Sequence, residues 1–112
     1  MEKKSKAYYI KEAKKWLKEA EHMKEQERSI VYTRFENLAG YFANAAEDFE
    51  KANMKGEARE CYEKAAKDAE KKGFYVDAIE YLKKAGHDKD AAELKRDIKK
   101  GKLKPNYHSM PH

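Results

Sequence analysis

One cysteine, two prolines, five glycines and one tryptophan stand among 112 residues. Cys61 alone can form neither an internal disulfide nor a multi-thiolate zinc site, and an unpaired thiol fits a reducing compartment. Val, Ile and Thr number only seven, which speaks against any substantial sheet. No apolar run approaches the ~18–20 residues of a membrane span. Ala7-Tyr8-Tyr9-Ile10, set between charged stretches, is too short for a secretory hydrophobic segment. The expectation is a soluble, cytoplasmic chain without a membrane span. Leu, Ile, Val and Phe together number 15, about 13% of the residues and below the roughly 20% at which disorder threatens a highly charged chain. A net charge of +5 is too small for that outcome, and sixteen alanines and eight tyrosines supply the missing apolar side chains. Small and aromatic residues suit thin helical layers. The length sets one domain, expected over residues 1–101, with a flexible basic tail over 102–112.

The breakers divide this domain into helical segments near residues 5–26, 29–52, 56–71, 74–85 and 88–100. Gly73, Gly86 and Gly101 each follow a run that ends as helix C-termini do. Gly56 closes Asn53-Met54-Lys55-Gly56, read as a tight turn, and Gly40 sits inside a periodic stretch as a point of close packing. Between the first two segments there is no Gly or Pro. The apolar stripe lapses through Lys24-Glu25-Gln26-Glu27-Arg28, and Ser29 offers an N-cap, so the break is placed there. In the second segment Val31, Phe35, Leu38, Phe42, Ala45, Phe49 and Ala52 alternate steps of four and three, one helix face. Tyr9, Ala13, Trp16, Leu17, Ala20 and Met23 do the same in the first. Phe42, Phe49, Tyr62, Tyr75 and Leu82 are the expected buried knobs.

A small–large–small triplet recurs: Ala13-Leu17-Ala20, Ala45-Phe49-Ala52, Ala58-Tyr62-Ala65 and Ala78-Leu82-Ala85. Alanines let helix backbones approach while the bulky residue fills the space beside them. The longer pattern Tyr62, Ala65, Ala66, Ala69, Gly73-Phe74-Tyr75, Ala78, Leu82, Ala85 resembles a tetratricopeptide repeat. A second copy begins at Phe42 and runs through Ala45, Ala46, Phe49, Ala58, Tyr62 and Ala65, so helix 56–71 serves two units. That overlap is similar to the soluble NSF attachment proteins. The resemblance implies an all-α, short right-handed helical-repeat solenoid of about five antiparallel helices. It also implies a non-enzymatic adaptor with no cofactor, binding a peptide or helix of a protein partner on its concave face. Two departures stand out. Glu70 occupies the place where a repeat usually carries Pro, and Ala43, Asn44 and Glu47 stand where some family members carry a carboxylate clamp. A receptor for chaperone C-termini is therefore not expected.

Chemical motifs are sparse. Cys61 shares a stripe with Ala58, Tyr62 and Ala65 and has no neighbouring His, so it reads as a small buried hydrophobe. Glu19 and His22 have the E-x-x-H spacing of di-iron bundles, but no second pair exists: His87 is at a turn, and His108 and His112 are in the tail. No metal site is expected. The segment Trp16-Leu17-Lys18-Glu19-Ala20-Glu21 resembles the opening of HEPN-type domains, several of which are ribonucleases with an Arg shortly before a His. Arg28, Arg34, Arg59 and Arg96 have no His at such a distance.

Charge is segregated: residues 1–28 carry +3, 29–94 carry −3 and 95–104 carry +5. The groove residues expected from the repeat reading are Asn44, Glu47, Glu50, Glu63, Lys67 and Lys71, with Lys67 and Lys71 one turn apart and Glu63 one turn earlier. An alternative basic patch of Lys95, Arg96, Lys99, Lys100, Lys102 and Lys104 would serve a nucleic-acid-associated accessory protein. A third reading is a structural oligomerisation unit. A solenoid this short has two raw apolar ends, so the terminal helices 5–26 and 88–100 act as caps or as contacts in a homo-oligomer.

Overall fold

A computed structural model describes residues 4–29 and 38–103, with backbone alone for 26–29. Among the described residues all regular structure is helical: α1 (Lys6–Ser29), α2 (Leu38–Lys51), α3 (Lys55–Lys71), α4 (Tyr75–Lys84) and α5 (Asp88–Lys99). The Ser5 hydroxyl opens α1 by accepting the Tyr8 backbone N–H at 3.1 Å, an N-cap bond. At its far end α1 runs on to Ser29, so Ser29 belongs to this helix and does not cap the next one. A lapse in the apolar stripe removes packing, yet residues 24–28 are Lys, Glu, Gln and Arg, all good helix formers with no breaker among them. Val31 and Phe35, expected on the α2 stripe, lie outside the described residues.

The last four helices are joined by connectors of one design, three residues each. α2 gives way to Ala52-Asn53-Met54, α3 to Lys72-Gly73-Phe74 and α4 to Ala85-Gly86-His87. The middle residue is left-handed in each, with φ of 61° at Asn53, 81° at Gly73 and 83° at Gly86. The residue after it folds back onto the ending helix: Met54 N–H donates to Phe49 C=O, Phe74 N–H to Ala69 C=O and His87 N–H to Leu82 C=O, each at 2.8 Å. This is the Schellman closure, which satisfies carbonyls a helix end leaves orphaned. The same residue starts the next helix, its carbonyl accepting from Ala58, Ala78 and Ala91 in turn at 3.0 Å. Gly101 (φ 77°) repeats the closure after α5, with Lys102 N–H on Asp97 C=O at 3.0 Å. Gly56, expected in the turn, lies within the first turn of α3; the reversal is made one step earlier, at Asn53.

Two clusters form the core. One joins Ala20 of α1, Leu38, Ala39 and Phe42 of α2, Ala65 and Ala69 of α3, Phe74 and Ala78 at the start of α4, and Leu94 of α5. The other joins Ala13, then Ala45, Ala46 and Phe49, then Ala58, Cys61 and Tyr62, and finally Ala85. Late α1 thus meets early α2, early α2 meets late α3, and late α3 meets early α4, so consecutive helices are antiparallel. Each helix packs chiefly on its neighbours in the chain. All eight alanines of the four triplets are buried.

Phe42, Phe49 and Tyr62 are buried as expected, but Tyr75 and Leu82 are only half-buried. Phe74 takes the inner position, because the residue that closes the connector points back over Ala69 in the first cluster. Leu103, on the tail side of the expected boundary at 101, is half-buried against the same cluster. The remainder of the expected tail, 104–112, lies outside the described residues. No helix among the described residues is long and apolar enough to cross a membrane.

Two substitutions test this packing. Phe49→Ala should cost about 3–5 kcal/mol in chemical denaturation, because the ring is 5% exposed and ringed by alanines that have little side chain to move into the void. Gly56→Ala should stabilise by about 0.4–1 kcal/mol, since a Cβ there meets nothing within 4 Å and the unfolded chain loses freedom.

Candidate functional site

α3 exposes one broad polar arc opposite its buried alanine stripe, and the two edges of that arc meet different neighbours. One holds Lys64, Lys67, Asp68 and Lys71, spaced at three and four residues and therefore aligned along the helix. These side chains, with Lys24 of α1, wall a groove of about 540 Å³ whose floor is Leu38 and Phe42 of α2. Lys64 Nζ lies 5.9 Å from the centre of the Phe42 ring, a cation–π contact that holds the lysine over the floor. Among the described residues Asp68 is the one carboxylate in the lining, and its Oδ2 accepts a hydrogen bond from Lys72 Nζ at 3.1 Å. Both of those side chains are only 9% exposed, so Lys72 offsets the Asp68 charge at short range. Among the described residues the groove is left with four lysines, a residue type whose stem can cover apolar surface while its ammonium group stays charged.

The other edge of this arc, with Arg59 and Glu63, turns toward the connector between α4 and α5. Glu63 Oε2 lies 2.5 Å from His87 Nε2 and 3.5 Å from Arg59 Nε, and His87 Nδ1 is 3.8 Å from Asp90. The hydrogen bond from His87 holds the Glu63 carboxyl below its usual value, partly opposed by burial. Near the end of α2, Tyr62 donates its hydroxyl to Glu50 Oε1 at 2.9 Å while Lys84 Nζ sits 5.7 Å from the Tyr62 ring centre. Burial raises the Tyr62 hydroxyl pKa, and Glu50 raises it further. Tyr81 is pushed up to about 12 by burial, with Asp77, Glu80 and Glu47 adding to it.

The six groove residues read from the sequence therefore occupy three places. Lys67 and Lys71 share the α1–α2–α3 groove. Glu63 lies one turn before Lys67 on the same polar side of α3, but it is committed to His87 and Arg59. Glu50 is bonded to Tyr62, and exposed Glu47 acts electrostatically on Tyr62 and Tyr81. Asn44 is half-buried on α2. Lys24 and Lys64 complete the groove. The period of α3 carried the signal for Lys64, whereas nothing in the sequence brings Lys24 to the same place, because that depends on how α1 crosses α2.

In the alternative basic patch, Lys95, Arg96, Lys99, Lys100 and Lys102 are all exposed, and Lys104 lies outside the described residues. Lys95 and Lys99 border a second groove, of about 590 Å³, between α4 and α5. Cys61 is 4% exposed, and burial pushes its thiol up to about 11, so it is a protonated thiol at neutral pH. Among the described residues no three His, Cys, Asp or Glu side chains are grouped to hold a metal ion.

The Glu63 contact sets a pH dependence. A carboxyl whose pKa is depressed by folding stabilises the folded state above its unfolded pKa, and the contribution disappears as pH falls through the folded value. Glu63→Gln should therefore melt below the parent protein above a pH of about 4.5, the ordinary glutamate value, and the two melting curves should converge in stronger acid. The gap should be small because the Glu63 side chain is 40% exposed. Circular dichroism melts across pH read this directly, and a gap constant with pH would assign the effect to something other than the carboxylate.

Comparison with family models, with curated proteins and with solved structures finds no match to this chain.

Proposed function

We propose that the chain is a non-enzymatic protein-interaction module that binds an acidic peptide segment in the groove between α1, α2 and α3. The observation that carries this reading is the charge of the groove: Lys24, Lys64, Lys67 and Lys71 converge from two helices, while the one carboxylate beside them among the described residues is paired with Lys72. An extended or helical segment with alternating carboxylates and apolar side chains matches such a site. The carboxylates meet the ammonium groups and the apolar side chains lie along the lysine stems. Repeated three-residue connectors and neighbour-to-neighbour packing are what a short right-handed solenoid of the tetratricopeptide or soluble NSF attachment type requires, and they support that reading of the architecture. A single buried thiol accords with a cytoplasmic setting.

Peptide display against the folded protein tests the proposal with no partner specified in advance. Selected peptides should be rich in Asp and Glu, and Lys67→Glu combined with Lys71→Glu should weaken them by at least about tenfold, roughly 1.4 kcal/mol. Helicity and melting temperature should stay close to those of the parent, because exposed charges contribute little to stability. Peptides without acidic bias, or acidic peptides indifferent to the double substitution, would remove the groove as the binding site. A single-stranded oligonucleotide held with a steep salt dependence, and released by neutralising Lys99, Lys100 and Lys102, would favour the nucleic-acid alternative instead.

A further inference from the structure

The groove between α4 and α5 has a different character from the first. Its floor is aliphatic and open: Val76 is 57% exposed, and Ile79 and Ile98 are half-buried. Val76, Ile79 and Lys83 follow one another at helical spacing along α4, and Lys95, Ile98 and Lys99 do so along α5. A strip of aliphatic side chains thus runs between two antiparallel helices with lysines on both banks and Glu80 as the one acidic neighbour in the lining among the described residues. Val76 is one of only two large hydrophobic side chains marked by high exposure among the described residues, and here it adjoins two further aliphatic groups. α5 has α4 as its one substantial helical neighbour among the described residues, whereas α2, α3 and α4 are each held from both sides.

We infer that this groove is a second docking surface, distinct from the one between α1, α2 and α3, and that its occupant is an amphipathic helix from a protein partner with an apolar stripe flanked by carboxylates. Helix-in-groove recognition needs an apolar channel that accepts side chains at i, i+3, i+4 and i+7, which the Val76–Ile79–Ile98 strip offers. The flanking charge decides the occupant. A second copy meeting this face through its own identical face would set Lys83, Lys95 and Lys99 against the same lysines, because a two-fold interface is self-complementary in position. A carboxylate-flanked helix places its charges against those ammonium groups and its apolar stripe on the strip between them.

Two labelled synthetic helices, each of about five turns with the same leucine stripe, serve as probes. One carries glutamate on both flanks and the other lysine, and fluorescence anisotropy measures binding to the full chain. The glutamate-flanked probe should bind at least about tenfold tighter than its lysine twin. Val76→Asp should weaken it by a similar factor, as should Lys95→Glu combined with Lys99→Glu. All three positions are exposed, so both variants should retain the parent's helicity. Lys67→Glu with Lys71→Glu should leave this probe unaffected, which separates the second surface from the first. Absence of binding by the glutamate-flanked probe, equal binding of the two probes, or a Val76→Asp variant that binds like the parent would overturn the inference. Concentration-dependent dimerisation of the chain alone, abolished by Val76→Asp, would overturn it too, assigning the face to a second copy.

Discussion

Everything in this fold depends on helix backbones being able to approach one another along lines of alanine. The buried set is mostly alanine, with Phe42, Phe49, Tyr62, Phe74, Leu38 and Leu94 interposed. A methyl group removes little area from water, at roughly 25 cal/mol for each Å², so such a core gains stability from close packing more than from bulk. Close packing leaves little room to relax, and each ring between the alanines is correspondingly hard to replace. It also leaves the long side chains on the outside. On α3 the alanine stripe forces lysines and glutamates onto the remaining arc, one edge of which becomes the groove wall while the other makes the Glu63–His87 contact.

Much of the secondary structure is legible because the same signals recur. Gly73, Gly86 and Gly101 mark three helix ends, since a left-handed residue without a Cβ is what the closure needs. Asn53 performs the same task, and its side chain hides it: asparagine tolerates the left-handed region but is common elsewhere, so the breakers alone point to Gly56 for that turn. The exchange of Phe74 for Tyr75 in the core has the same origin. A helical wheel places Tyr75 well, but Phe74 belongs to the connector, and connector geometry is invisible to helical periodicity. An alanine five residues after each left-handed position, at Ala58, Ala78 and Ala91, extends the repeat into α5.

The binding surfaces are less legible, for a physical reason. A groove is made by residues on different helices, and its charge is the sum of what those helices bring together. Lys67 and Lys71 can be paired from their spacing alone, but Lys24 enters only through the crossing of α1 over α2, and Asp68 is offset by Lys72 only because both are shielded from solvent. In the C-terminal basic run, one-dimensional charge counting treats as uniform what α5 divides. Lys95 and Lys99 turn toward the aliphatic strip, whereas Arg96 and Lys100 do not border it.

Packing that runs almost wholly between chain neighbours has a kinetic consequence. Every substantial helix contact closes a short stretch of chain, so little loop entropy must be surrendered before a contact forms, and topologies of this kind fold quickly. Stability is then graded by position. Among the described residues α2 and α3 each have a helix on both sides and contribute most of the buried side chains, while α1 and α5 have one such neighbour each and α5 buries only Ala91 and Leu94. Opening should therefore begin at the terminal helices and proceed inward, with the amide protons of the central pair the last to exchange with solvent.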